Sequence, residues 1–135
     1  MLTRFHDENI ISIELVDGGL SLALTLNGAV ANVYITCLKK LRVDRFQEGN
    51  IVNSVFVYSG EECLGHEESI RTALRYLYDI DAQSIKNKPS LTPFLEQQFK
   101  KIINGELILV EVEPSYGCYI VALGEKFRIN RARLD

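Results

Sequence analysis

The clearest pattern in this chain is a strict alternation at residues 20–26. Leu20, Leu22, Leu24 and Leu26 are separated by Ser21, Ala23 and Thr25, so four leucines share one face of a strand. Upstream, Ile11, Ile13 and Leu15 alternate with Ser12 and Glu14 and predict a preceding strand with those three on one face. Asp17-Gly18-Gly19 lies between the two and reads as a tight turn. Asn27-Gly28 is the strongest two-residue hairpin signal in the chain. The next segment, about residues 29–38, sets Val33 and Ile35 on one face and Tyr34 on the other. These three strands form an antiparallel meander.

The stretch "KKLRVDRFQEGN" alternates charged and apolar residues through Lys40, Leu41, Arg42, Val43 and Asp44. It reads as a short edge strand whose charges discourage pairing with other molecules. "IVNSVFVYS" is a further strand, with Val55 and Val57 pointing one way and Val52, Phe56 and Tyr58 the other, so both its faces are covered. After Gly60 the period changes. Ile70, Ala73, Leu74 and Leu77 fall at i, i+3, i+4 and i+7, which predicts an amphipathic helix over about residues 67–78. Glu67 and Arg71 make an i, i+4 pair on its outer side. "IDAQSIKNKPS" reads as a connecting loop. A second helix starts with Thr92 as N-cap and Pro93 at its first position, buries Leu95, Phe99 and Ile102, and ends at Asn104-Gly105.

"ELILVEVE" is a strand with Ile108, Val110 and Val112 on one face, and "GCYIVALG" is an apolar run of strand length. Between them, Pro114-Ser115-Tyr116-Gly117 has the composition of a turn. The pattern as a whole predicts a single α+β domain over residues 1–135. Its antiparallel β-sheet has about five to seven strands, opens with the N-terminal meander, and carries two α-helices inserted late and packed on the sheet.

Composition narrows the function classes. Fifteen basic and 18 acidic residues give a net charge of −3, which supplies no general attraction to nucleic acid or anionic lipid. No apolar run is long enough to span a bilayer. The opening "MLTRFHDENI" lacks the basic-then-apolar pattern of a secretory signal. Cys37, Cys63 and Cys118 cannot all pair with one another and read as reduced thiols of a cytoplasmic protein.

Candidate chemistry is sparse. Glu113-Pro114-Ser115-Tyr116-Gly117-Cys118 brings a carboxylate, a hydroxyl, a phenol and a thiol together. A nucleophilic Ser115 or Cys118 needs a base within hydrogen-bond reach, and only His6 and His66 supply imidazoles. The plainer reading is a turn in which Cys118 packs as a small hydrophobe. Cys63-Leu64-Gly65-His66 has the spacing of half a metal site, without the second pair that a structural zinc needs. No metal or cofactor is expected. His6-Asp7-Glu8 reads as polar punctuation at a strand entry. Lys126, Arg128, Arg131 and Arg133 read as a solvated basic end, so nucleic acid is not the expected partner. Six carboxylates surround the first helix: Glu61, Glu62, Glu67, Glu68, Asp79 and Asp81. The helix dipole favours those in its first turn. They are also the candidate partner-binding residues, an acidic surface that steers a basic protein.

The stretch "FHDENIISIELVDGGLSLALTL" resembles the opening of a group of small bacterial proteins that begin with Phe-His-Asp and run into a β-meander. "RFQEGNIV" and "PSYG" match further. His6, Asp7, Asn50 and Ser115-Tyr116-Gly117 are the positions that fit that pattern. These proteins are single-domain accessory proteins, some of them similar to immunity proteins of polymorphic toxin systems. This chain has no tryptophan, unlike the immunity families that carry a Trp motif. The resemblance implies a cytoplasmic, non-enzymatic protein that binds and blocks a cognate toxin, and it brings no catalytic residues with it. The alternative is a small enzyme with its site near His6, Asp7, Ser115 and Cys118. The discriminating geometry is His6 within hydrogen-bond reach of Ser115 or Cys118 in a cleft.

Overall fold

The computed structural model describes residues 2–131. Eight strands and three α-helices follow one another as β1 (Ile10–Val16), β2 (Gly19–Leu26), β3 (Ala29–Thr36), β4 (Lys40–Asp44), β5 (Ile51–Tyr58), α1 (Glu67–Leu77), α2 (Ala82–Asn87), α3 (Leu91–Ile103), β6 (Ile108–Tyr116), β7 (Tyr119–Gly124) and β8 (Lys126–Arg131). The α+β class and the antiparallel pairing are as the pattern predicts. The strands form two four-stranded sheets, ordered β1-β2-β3-β8 and β4-β7-β6-β5. One strand beyond the expected range comes from the basic C-terminal segment. It pairs with β3, setting Phe127 opposite Ile35 and Ile129 opposite Val33, because these two apolar residues have a half-open core to cover. Arg133 lies outside the described residues, as does the side chain of Arg131.

The inner faces of the two sheets share one core. Leu20, Leu22, Leu24, Leu26, Val33 and Ile35 from the first sheet meet Val55, Val110, Val112 and Ile120 from the second. Ser21, Ala23 and Thr25 lie on the opposite face of β2, so the 20–26 alternation is that of a strand with one core-facing side. The second sheet is covered on both faces. Its outer side, with Tyr58, Leu109, Val121 and Leu123, packs against Ile70, Ala73, Leu74 and Leu77 of α1 and Phe99 and Ile102 of α3. This double burial explains why residues 107–110 and 119–124 read as continuous apolar runs.

Both flanks of the sandwich are tied. At one, the chain passes from β3 to β4 and from β7 to β8 side by side, with Lys39 N donating to Leu123 O at 2.7 Å and Glu125 N to Thr36 O at 2.9 Å. Gly124 sits in this corner, where a Cβ would stand 2.5 Å from Ile35 Cγ2 and 2.9 Å from the Thr36 carbonyl oxygen. At the other flank, the N-terminal segment runs along the edge of β5. Leu2, Asp7 and Ile10 donate to the carbonyls of Val55, Val52 and Asn50, and Phe5 is fully buried beneath it.

Several local expectations change for identifiable reasons. Val52 joins Val55 in the inter-sheet core rather than Phe56 and Tyr58, because the register of β5 against β6 shifts between Val52 and Ser54 and inverts the pleat. In β1 a similar shift between Ile10 and Ser12 buries Ile10 and leaves Ile11 50% exposed, and Leu15, near the end of this edge strand, is 69% exposed. Residues 82–87 form α2 instead of a loop, started by Asp81, whose carboxylate accepts from Ser84 N while Ser84 Oγ accepts from Asp81 N. Helix α3 begins at Leu91 with Ser90 as N-cap. Thr92 and Pro93 therefore lie inside its first turn, where a missing N–H costs no intrahelical bond. Strand β6 continues through Pro114 and Ser115, so the turn to β7 is confined to Gly117-Cys118.

Leu24→Ala should destabilise the fold by about 2–5 kcal/mol, read from chemical denaturation; a change below about 0.5 kcal/mol would refute the buried leucine face. Gly124→Ala should cost about 1–3 kcal/mol through overpacking at the corner. Gly28→Ala, where nothing lies within 4 Å of the new Cβ, is the control for backbone strain without overpacking.

Candidate interaction surfaces

The acidic residues around α1 separate into two groups. Residues Gly60–Cys63 form a 3-10 turn pinned by Cys63, which is fully buried with its Sγ 4.0 Å from Ile102 O of α3. The pinned turn leaves Glu61 and Glu62 exposed and Leu64 74% exposed. Glu67 and Glu68 follow in the first turn of α1. Glu67 accepts from Gly65 N at 3.3 Å, and Glu68 pairs with Arg75 at 3.2 Å. Arg71 does not pair with Glu67. Its Nε and Nη2 reach Glu96 of α3 at 2.9 and 3.4 Å, and its guanidinium lies 4.0 Å over the Phe99 ring. A two-pronged bond plus stacking outweighs one exposed i, i+4 contact. Among the described residues, Glu61, Glu62 and Glu67 thus have no cationic partner.

Asp79 and Asp81 lie at the far end of α1, whose 11 residues span about 16 Å. Asp79 faces Arg42 Nη1 at 3.6 Å. Asp81 is the cap of α2, and its bonds from the Ser84 backbone and hydroxyl hold its carboxyl below the usual range. The first four carboxylates share one end of α1, and these two do not join them.

Each histidine is in contact with a neighbouring group. His6 Nδ1 donates to the Asn53 carbonyl at 3.0 Å, with Asp7 3.5 Å from its other nitrogen. Glu8 accepts from the Thr25 hydroxyl and from Asn27 N, which lowers its pKa and fastens the N-terminal segment to the β2–β3 hairpin. No hydrogen bond joins His6 to Ser115 or Cys118 among the described residues. Cys118 is fully buried, and burial, then the charge of Asp44, pushes its thiol up to about 11, opposite to what a nucleophilic thiol needs. His66 is exposed and its ring packs at 5.6 Å from that of Tyr58. Among the described residues no three His, Cys, Asp or Glu side chains gather as metal ligands, and no helix is long and apolar enough to cross a membrane. In the basic segment, Arg128 lies 4.8 Å over the Tyr34 ring.

A second surface joins residues 114–117, which stand out in the sequence, to Arg45 and Gln47, which do not. Asn50, buried, ties the loop after β4 to the turn after β6. Its Oδ1 accepts from Gln47 N and Cys118 N, both at 3.1 Å, and its Nδ2 donates to Gln47 O. Gly117 has φ +90°, and a Cβ there would stand 2.5 Å from Asn50 Oδ1. Asn50 and Gly117 are therefore mates in one contact. Beside them, Tyr76 OH donates to Asp44 and Tyr119 OH to Glu111. The two rings meet edge to face at 4.8 Å, and Arg42 stacks on Tyr76 at 4.0 Å while bonding Asp44 at 3.3 Å. Burial, aided by Asp44, pushes Tyr76 up to about 12. A cleft of about 250 Å³ lies among Asp44, Arg45, Tyr76, Pro114, Gly117 and Tyr119. It borders an open groove of about 500 Å³ between Arg45, Gln47 and residues 114–117.

Burial raises Glu111 above its ordinary value of 4.5, against the opposing bond from Tyr119. A raised carboxyl favours folding below the unfolded pKa and loses that contribution as pH rises through the folded one. Glu111→Gln should therefore flatten the loss of stability between pH 4.5 and neutrality and leave stability at pH 7 equal or higher. Denaturation midpoints at pH 4, 5.5 and 7 check this; an unchanged pH profile would contradict it. Compared with protein-family models, with curated proteins and with solved structures, the chain matches none.

Proposed function

We infer that this protein is a non-enzymatic, cytoplasmic protein-binding module. It captures a basic protein partner, in the manner of an immunity protein that neutralises a cognate bacterial toxin. The observation that supports this reading is the end of α1. Leu64 projects from a turn anchored by Cys63, flanked by Glu61, Glu62, Glu67 and Glu68, while Arg71 is withdrawn toward α3. An exposed apolar side chain with a charged surround matches the arrangement of an anchor residue inside a polar rim. The resemblance of residues 5–26 to small bacterial accessory proteins, some of them similar to immunity proteins, points the same way.

The two components act on different rate constants. Exposed carboxylates accelerate encounter with a basic face, and salt screens them over about 8–10 Å. Leu64 would enter an apolar pocket of the partner and slow release. With the partner purified from the native host, charge reversal at Glu61, Glu62, Glu67 and Glu68 should slow association chiefly at low salt. Leu64→Ser should raise the dissociation rate with little effect on association. Each substitution should alter fold stability by about 0.5 kcal/mol or less. An association rate that is salt-independent and unchanged by the charge reversal would remove this surface from the account.

A further inference from the structure

Arg45 is set apart from the other arginines. Every other arginine whose side chain is described has a partner: Arg4 lies over Phe5, Arg42 pairs with Asp44, Arg71 with Glu96, Arg75 with Glu68, and Arg128 stacks on Tyr34. Arg45 has neither a carboxylate nor an aromatic partner among the described residues. It is exposed, and its backbone has φ +61°, a left-handed conformation uncommon for a long side chain. The groove it lines is otherwise uncommitted. Among the described residues the side chains of Gln47, Ser115 and Tyr116 make no hydrogen bond, and Tyr116 is 58% exposed. Asn50 ties the loop carrying Gln47 to the Gly117-Cys118 turn, and pairing with β5 holds residues 114–116.

Charge decides which ligand suits such a groove. It offers one guanidinium, and Asp44 at its inner end is already bonded by Arg42 and Tyr76. A polyanion such as nucleic acid needs several cations. A single carboxylate fits the planar fork of one arginine.

We propose that this groove is a second binding site, for an extended peptide segment carrying one Asp or Glu side chain next to an aromatic or apolar residue. Arg45 takes the carboxylate. Tyr116 packs against the neighbouring apolar side chain, and Gln47 and Ser115 bond the peptide backbone. The site stands independently of the Leu64 surface.

The test is an amide-detected NMR titration of the full chain with N-acetyl-Glu-Phe methylamide. Saturable shifts should appear at Gln47, Ser115, Tyr116 and Gly117. The Gln-Phe counterpart should bind about tenfold more weakly, the value of one charge-assisted bond. Arg45→Gln should abolish that difference, and Arg45→Lys, which keeps the charge without the fork, should retain only part of it. Charge reversal at Glu61, Glu62, Glu67 and Glu68 should leave the titration unchanged, so that failure of the α1 surface and failure of this site are read separately. The proposal is overturned by the absence of saturable shifts, by equal response to both dipeptides, or by a difference that survives Arg45→Gln. Tighter saturation of the same amides by inorganic phosphate would overturn it in favour of a phosphate ligand.

Discussion

The fold depends on the burial of one sheet, β4-β7-β6-β5, on both of its faces. Strands β5 and β6 are hydrogen-bonded neighbours, yet nearly fifty residues separate them in the chain. All three helices lie in that excursion. It leaves one end of the paired strands, covers their outer face with α1 and α3, and returns. Without the helices, Leu109, Val121 and Leu123 would face water; without the first sheet, Val110, Val112 and Ile120 would. Each of the two cores therefore shares this sheet as a wall, and a change in its strands is felt on both sides.

Polar groups gather where that cover ends. Tyr58, Tyr76 and Tyr119 place their rings against the outer face of the sheet; Tyr76 and Tyr119 turn their hydroxyls to carboxylates at its margin. A phenol suits this boundary because its body is apolar and its tip is not. Arg42 does the same with a cation, laying its guanidinium on Tyr76 and bonding Asp44. The raised pKa of Glu111 comes from the same boundary, since its carboxyl sits on the helix-covered side between residues that bury it.

Each of the two surfaces includes an irregular segment tied down by one buried side chain. Cys63 fixes the turn that presents Leu64, and Asn50 ties the loop carrying Gln47 to the Gly117-Cys118 turn. Loops ordered before binding lose less conformational entropy when a partner arrives. The buried anchor is structural in each case, and the exposed neighbours are free to contact another molecule. This division explains why the amide of Asn50 and the thiol of Cys118, which lies inside the segment that looks most chemical in the sequence, are pinning and packing groups.

Local spacing was enough to determine the elements whose signals lie within a few residues. The leucine alternation of β2, the Asn27-Gly28 hairpin, the i, i+3, i+4, i+7 stripe of α1 and the stop at Asn104-Gly105 all depend on neighbours along the chain, and each forms as read. Tertiary structure alone decided the features that rest on distant partners. Residues 126–131 became a strand because β3 offered an unpaired edge. Val52 turned inward because the register against β6 slips by one residue. Arg71 chose Glu96 over Glu67 because α3 packs beside α1. Asn50 and Gly117 met across 67 positions of sequence, and no local pattern marks a contact of that span. The six carboxylates were legible as residues, but not as a surface: helix length and capping divided them into four at one end and two at the other. The chain writes its short-range geometry directly; which side chains face one another across the sandwich is settled only when the two sheets close.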